Sequence, residues 1–166
     1  FLSEQGHLPR SKAGLIVTVS IAIAVVLPLL IGAASDRIGR RPFIRWSFVA
    51  ATVWAIPHFA LGATGVPAYA WLGAVVSALI LGTMQGVYPA KLSELFPTAT
   101  RFTGTSIAYN VCFAVFGGTF PFIATWLVHA TGEPMAPGWY LGVIALISTV
   151  LVWRLPETGL SPLREV

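Results

Sequence analysis

Charge is what this sequence lacks most. Of its 166 residues only 10% are Asp, Glu, Lys or Arg, whereas 56% are hydrophobic. A soluble domain of ordinary composition carries about 25% charged residues. This chain has too few to cover a water-facing surface, so the membrane class follows from composition alone. Cysteine is almost absent as well. Cys112, inside an apolar run, is the only one, which excludes an intrachain disulfide and a zinc site built from thiolates. The net charge of +4 does not point to nucleic acid. The basic residues stand at the ends of apolar runs rather than along one helix face, so no nucleic-acid partner is expected. The chain begins at Phe1, with no basic stretch followed by a short apolar core and a small-residue cleavage site. It reads as a piece of something longer, without a signal peptide.

What the sequence does have is long apolar runs. A membrane span needs about 20 such residues, and five segments qualify, at about 13–34, 43–63, 68–90, 103–129 and 139–155. Runs of this length are expected to be helices, since barrel strands are about ten residues long with alternating polarity. The fold class is therefore an all-α membrane protein with five transmembrane helices. Gly65-Val66-Pro67 and Gly132 to Gly138 punctuate the chain as turns. The two most polar connections are 35–42 and 91–102. In the second, Leu92, Leu95, Phe96 and Phe102 predict a short amphipathic helix on the membrane surface.

The stretch Ser35-Asp36-Arg37-Ile38-Gly39-Arg40-Arg41-Pro42 packs four charges into eight residues. Charge is costly in hydrocarbon, so this cluster is expected at a water interface. With five spans, Arg37, Arg40, Arg41, Arg45, Lys91, Arg101, Arg154 and Arg164 fall on one side, and Arg10 and Lys12 on the other. Lys and Arg favour the cytoplasmic side, which predicts an external N-terminus, a cytoplasmic C-terminus and cytoplasmic connections at 35–42 and 91–102.

The middles of the spans contain no Asp, Glu, Lys or Arg. Their polar groups are neutral. Asn110 is the only Asn, and Gln85 is one of two Gln. At 3.6 residues per turn, Ser77, Leu81, Gln85 and Tyr88 share one stripe, and Ser106, Asn110, Phe113, Gly117 and Pro121 share another. Two stripes of amide, hydroxyl and aromatic groups can line a polar cavity. They can equally bond neighbouring helices. His58, after Pro57, reads as a packing residue beside a kink, although an imidazole can titrate near neutral pH. Gly82 and Gly86 form a G-x-x-x-G pair suited to close helix packing. Pro28, Pro57, Gly117-Gly118 and Pro121 are expected to weaken or bend their helices. No nucleophile is paired with a base, and no metal-ligand cluster stands out, so an enzyme is not expected. Leu155-Pro156-Glu157-Thr158-Gly159 looks like a sorting signal, but only seven residues follow it in this sequence and no sorting role is expected.

Several motifs together resemble one family. Gly32-Ala33-Ala34-Ser35-Asp36-Arg37-Ile38-Gly39-Arg40-Arg41 matches the major facilitator signature G-x-x-x-D-R-x-G-R-R without a gap. Pro156-Glu157-Thr158 looks like the tail common after that family's last helix. The run Met84 to Ala90, then Glu94-Leu95-Phe96-Pro97-Thr98, Arg101 to Ser106, Tyr109-Asn110 and Phe116 to Pro121 resembles the metabolite:proton symporter branch. The resemblance covers nearly the whole chain and implies most of the C-terminal six-helix half, helices eight to twelve, of a bacterial inner-membrane carrier. It implies a proton-driven carrier of a small organic acid or compatible solute: citrate, 2-oxoglutarate, shikimate, proline or betaine. It further implies alternating access, no cofactor beyond the proton gradient, and a lipid bilayer and the N-terminal half of the same polypeptide as partners. Substrate-cavity candidates are Gln85, Tyr88, Tyr109 and Asn110. A gating motif would comprise Gly32, Asp36, Arg37, Gly39, Arg40, Arg41, Glu94 and Arg101, with Glu94 paired to one of the arginines. Asp36 is placed to face or cap a helix N-terminus. Proton-carrying acids are expected in the other half. The alternatives are another carrier of the superfamily, such as a sugar porter or drug:proton antiporter, or a membrane scaffold that transports nothing.

Overall fold

The computed structural model describes residues 1–4 and 6–154. Among them lie six α-helices: α1 (Arg10–Ile38), α2 (Arg40–Ala63), α3 (Pro67–Glu94), α4 (Arg101–Cys112), α5 (Gly118–Thr131) and α6 (Ala136–Trp153). A π-helical segment, Phe113–Gly117, joins α4 to α5. The run Arg101–Thr131 is therefore one continuous span, and five helical stretches are long and apolar enough to cross a membrane. Leu155 and the Pro156-Glu157-Thr158 tail lie outside the described residues.

The helices run further into the polar connections than the hydropathy suggests. α1 carries Asp36 and Arg37 in its last turn, and α2 begins at Arg40. Gly39 alone separates them, at φ 103° and ψ 153°. A side chain is strained there, so the reversal depends on glycine. α3 likewise extends through Lys91 to Glu94. The surface helix expected in 91–102 does not form. Its first turn belongs to α3, Pro97 interrupts the rest, and Phe96 packs on Gly104, where a Cβ would approach within 2.6 Å of the ring. The other ends follow ordinary signals. Pro67 opens α3, where a missing N–H costs nothing, and Gly132 closes α5 in the left-handed conformation at φ 73°.

α3 is the centre of the bundle. It packs on α1, on α2 and on α4, while α6 lies against α2 and α5 against α6. The α1–α3 seam is tight because α3 presents Gly82 and Gly86. A Cβ at Gly86 would sit 2.9 Å from the Ile31 Cβ and 3.0 Å from the Pro28 carbonyl oxygen, and one at Gly82 would sit 3.0 Å from Leu27. Small residues let the backbones approach, and dispersion replaces a hydrophobic drive that lipid does not supply. Two small buried clusters mark the ends. Ile44, Val87 and Val152 pack near the arginine-rich end, and Leu8, Ile16 and Ala70 near the other. Most remaining apolar side chains face outward, such as Leu29 at 75% and Phe122 at 79% exposure. That is the surface of a protein whose solvent is hydrocarbon.

The π segment has a local cause. Pro121 offers no N–H to the carbonyl of Gly117 and its ring crowds that oxygen. Gly117 and Gly118 allow the backbone to take the extra residue, and the Gly118 N–H donates to the Phe113 carbonyl. Thr119 donates its hydroxyl to the Val115 carbonyl inside the π segment, and Thr125 donates to the Pro121 carbonyl at 2.8 Å.

Candidate functional site

At the basic end, Arg40 joins three helices. Its Nε donates to Glu94 Oε1 at 2.6 Å and its Nη2 to Asp36 Oδ1 at 2.9 Å. α1 supplies Asp36, α2 supplies Arg40 and α3 supplies Glu94, so one guanidinium ties the ends of all three. Its planar fork makes two directed bonds at once. Asp36 makes no capping bond to α2; it pairs with Arg40 one turn on. Gly32 lies one turn before Asp36, where a Cβ would stand 3.5 Å from the Gly86 carbonyl oxygen of α3. Arg37 stands exposed in the last turn of α1, where a cation is favoured by the helix dipole. Arg41 opens α2 next to Arg40. Arg101 holds the 95–100 connection: its Nε donates to the Ser93 carbonyl at 3.1 Å and its Nη2 to Thr98 Oγ1 at 3.3 Å. Lys91 is almost wholly enclosed in the last turn of α3. Arg45 lies over the Trp153 ring at 4.9 Å and donates to the Trp153 carbonyl, clamping α2 to α6.

The substrate-cavity candidates are only partly brought together. Tyr88 of α3 and Tyr109 of α4 meet with ring centroids 6.3 Å apart, and Tyr109 stacks on Phe113 at 5.4 Å. This aromatic ladder crosses the α3–α4 seam. Asn110, beside Tyr109, is exposed and donates to the Ser106 carbonyl one turn earlier, at 2.8 Å. Tyr109 and Asn110 line an open groove of about 680 Å³ with Arg101, Thr105 and Ser106. Gln85 is exposed on α3 and does not line that groove.

The stripes drawn at 3.6 residues per turn fail at two points. Ser77 turns toward α2 rather than standing with Gln85. The span-four stripe breaks at Phe113, because the extra residue of the π segment rotates α5 by about 100° relative to α4. Phe120 and Pro121 consequently line a pocket with Phe59 of α2, and Phe120 stacks on Tyr140 of α6 at 6.5 Å.

Sequence reasoning missed a second polar cluster. Ser77 Oγ lies 2.9 Å from His58 Nδ1, and the Trp54 indole N–H donates to Ser77 Oγ at 3.2 Å. The Gly73 carbonyl faces His58 Nδ1 at 3.2 Å. Trp54 and His58 are four residues apart on α2, a spacing that puts them on one face. That was the available signal. Thr52 and Thr149, 3.0 Å apart, bridge α2 and α6 in the same manner.

The comparisons with known proteins agree with this arrangement. The family model described as Major Facilitator Superfamily matches residues 1–165. The proline/betaine transporter of Escherichia coli K12 is 35% identical over 165 residues, covering 99% of this chain and 33% of that protein. The ectoine/proline transporter of Corynebacterium glutamicum is 34% identical, covering 98% of this chain and 32% of its own length. The glycine betaine/proline/ectoine/pipecolic acid transporter of Dickeya dadantii is 33% identical, covering 99% and 32%. The chain thus spans about a third of the length of the curated relatives it matches. No solved structure matches it significantly. On the family match along nearly its whole length, together with five apolar helices, this chain is an integral membrane protein that belongs to the major facilitator superfamily.

Proposed function

We propose that this chain is part of a carrier that moves a small zwitterionic solute of the proline or betaine type together with a proton, by alternating access. The observation that carries this reading is the 33–35% identity, along nearly the whole chain, to proteins named as transporters of such solutes. The chemistry of the α3–α4 face supports it. A quaternary ammonium is positive but has no N–H to donate, so aromatic faces are its natural partners. Tyr88, Tyr109 and Phe113 offer such faces, and Asn110, on the groove beside Tyr109, offers an amide to a carboxylate. A solute without net charge also suits spans whose middles carry no ionised side chain. Citrate, 2-oxoglutarate and shikimate, being anionic, fit less well.

In this reading the basic end faces the cytoplasm of a bacterial inner membrane. The Arg40 node holds the cytoplasmic ends of α1, α2 and α3 together in one state and releases them in the other. The remaining two-thirds of the polypeptide supplies the facing half, with the substrate between the halves near the midplane.

The test is uptake of labelled glycine betaine, proline and citrate into vesicles containing the intact protein under an imposed proton gradient. Betaine and proline should accumulate, and a protonophore should abolish the accumulation. Tyr109→Ala should weaken betaine uptake about thirtyfold, the worth of one cation–π contact of about 2 kcal/mol in a desolvated site, while Tyr109→Phe should retain it. Uptake of citrate alone would overturn the substrate class. A scaffold would take up nothing, and its Gln85 and Asn110 variants would alter stability only.

A further inference from the structure

Resting on the transport reading above, we propose that His58 is a proton-binding residue of this half, taking up and releasing a proton at Nε2 while its Nδ1 stays fixed on α3.

The tautomer follows from the partners. The Gly73 carbonyl oxygen, 3.2 Å from Nδ1, can only accept. A lone pair on Nδ1 would face the lone pairs of that oxygen, so Nδ1 carries hydrogen. Ser77 Oγ, 2.9 Å away, serves as a second acceptor for the same N–H. The Trp54 indole N–H points at the same two oxygens, at 3.2 Å to Ser77 and 3.4 Å to Gly73, and holds them in place. Nδ1 is therefore protonated in both charge states, and Nε2 is the atom that gains or loses the proton. On uptake a hydronium in the adjoining space gives its proton to the Nε2 lone pair and becomes water; on release the N–H bond at Nε2 breaks and water takes the proton.

The surroundings make this site responsive. His58 stands on the wall of two hollows. One, of about 710 Å³, opens between α1, α2, α3 and the N-terminal segment and is lined by the hydroxyls of Ser3, Thr18, Ser20 and Ser77 besides His58 and apolar side chains. The other, of about 360 Å³, lies between α2, α3, α5 and α6, with Ser148 as its only further hydroxyl besides Ser77. Among the described residues no Asp, Glu, Lys or Arg lines either hollow, and His58 is the only titratable side chain on their walls. α1 contributes no ionisable group to them, nor do α3, α5 or α6. The N-terminal segment contributes Phe1, whose ring packs edge-on to Phe59 at 5.1 Å. Glu4 and His129 line a neighbouring pocket that shares Phe1, Phe59 and Phe120 with these walls. A charge on His58 is thus balanced by no carboxylate among the described residues of these walls, and water in the space beside it is what solvates it. Any rearrangement that opens or closes the α1–α2–α3 groove changes that hydration, and so couples groove shape to proton occupancy.

The experiment follows intrinsic tryptophan emission of the full-length protein in lipid nanodiscs between about pH 5 and 8, the range over which a histidine changes charge. An imidazolium quenches an adjacent indole, and Trp54 shares both hydrogen-bond acceptors with His58. Wild type should carry one sigmoidal component that is lost equally in His58→Asn and Trp54→Phe. Asn keeps a donor at the Nδ1 position and cannot titrate; His58→Gln serves if the Asn variant does not fold. Persistence of the component in either His58 variant, or its absence in wild type, would overturn the assignment. If the component is present and lost as expected but uptake ignores an imposed proton gradient, the symport reading fails while the site stands.

Discussion

At the scale of single residues, Arg40 decides most. Its guanidinium is shared by Asp36 and Glu94, but the two partners are not equivalent. Asp36 keeps 62% of its side chain exposed, so water and salt screen that pair and it contributes little. Arg40 and Glu94 keep 14% and 10%. Removing either one leaves the other charged and poorly hydrated, which costs more than the pair is worth. Arg40→Gln and Glu94→Gln should each lower the free energy of unfolding in detergent, and the loss in the double variant should fall short of the sum of the two by about 0.5–3 kcal/mol. Arg40→Lys should not restore the wild-type behaviour, because one ammonium cannot make two directed bonds from a flat fork. Strictly additive losses would remove the three-helix node from the account. Half of this node was legible in the sequence: Glu94 is the only acid between Asp36 and Glu133, so an arginine partner across the basic end was expected. Which arginine was not legible. That depends on α1 ending at Ile38 and α2 starting at Arg40, and the charged stretch reads as a loop when hydropathy alone sets the boundaries.

At the scale of elements, the departure from regularity lies in the fourth span. Gly117-Gly118 and Pro121 announce a weak point, but a bend and a π segment are different outcomes. A bend leaves the two stripes of residues in register, whereas a π segment shifts everything after it by one place. That shift is why Phe120 and Pro121 lie toward α2 and α6 rather than continuing the face of Ser106 and Tyr109. A helical wheel assumes a constant period and cannot register the change. Ser77 escaped for a related reason: a wheel gives the face of a helix but not the neighbour on that face. Pro121→Ala returns an N–H that the Gly117 carbonyl can accept from and removes the steric clash, so span four should relax toward a continuous α-helix. A proline inside a helix costs about 3 kcal/mol relative to alanine. Part of that is already recovered by the π segment, so the stability gained should be less than the full amount. Uptake by the intact protein should fall, since Phe120 would swing away from Tyr140 and from the pocket it shares with Phe59. A variant that gains stability and keeps full uptake would show the π segment to be incidental.

At the scale of the whole molecule, the distribution of charge predicts how the bundle sits in a bilayer. Every helix end that carries Arg37, Arg40, Arg41, Arg45, Lys91, Arg101 or Arg154 lies at one end of the bundle, because the five spans alternate in direction. Arg10 and Lys12, in the first turn of α1, stand at the other. Moving the larger group through hydrocarbon costs about 2.5–3.5 kcal/mol per residue even on the most lenient scale, and the membrane potential opposes the transfer. The orientation with seven inside should therefore dominate, and it can be read chemically. In a Cys112→Ser background of the intact protein, Thr64→Cys puts a thiol in the exposed turn between α2 and α3, and Arg37→Cys puts one at the exposed end of α1. Arg37 carries only one of seven positive charges at its end, so its loss does not reverse the bias. A membrane-impermeant maleimide applied to right-side-out vesicles should label Thr64→Cys and spare Arg37→Cys, and inside-out vesicles should give the opposite pattern. Labelling of Arg37→Cys from the outer face would place the Arg40 node in the wrong compartment. The cytoplasmic ends of α1, α2 and α3 would then have no latch, and the alternating-access reading would lose the device that distinguishes its two states.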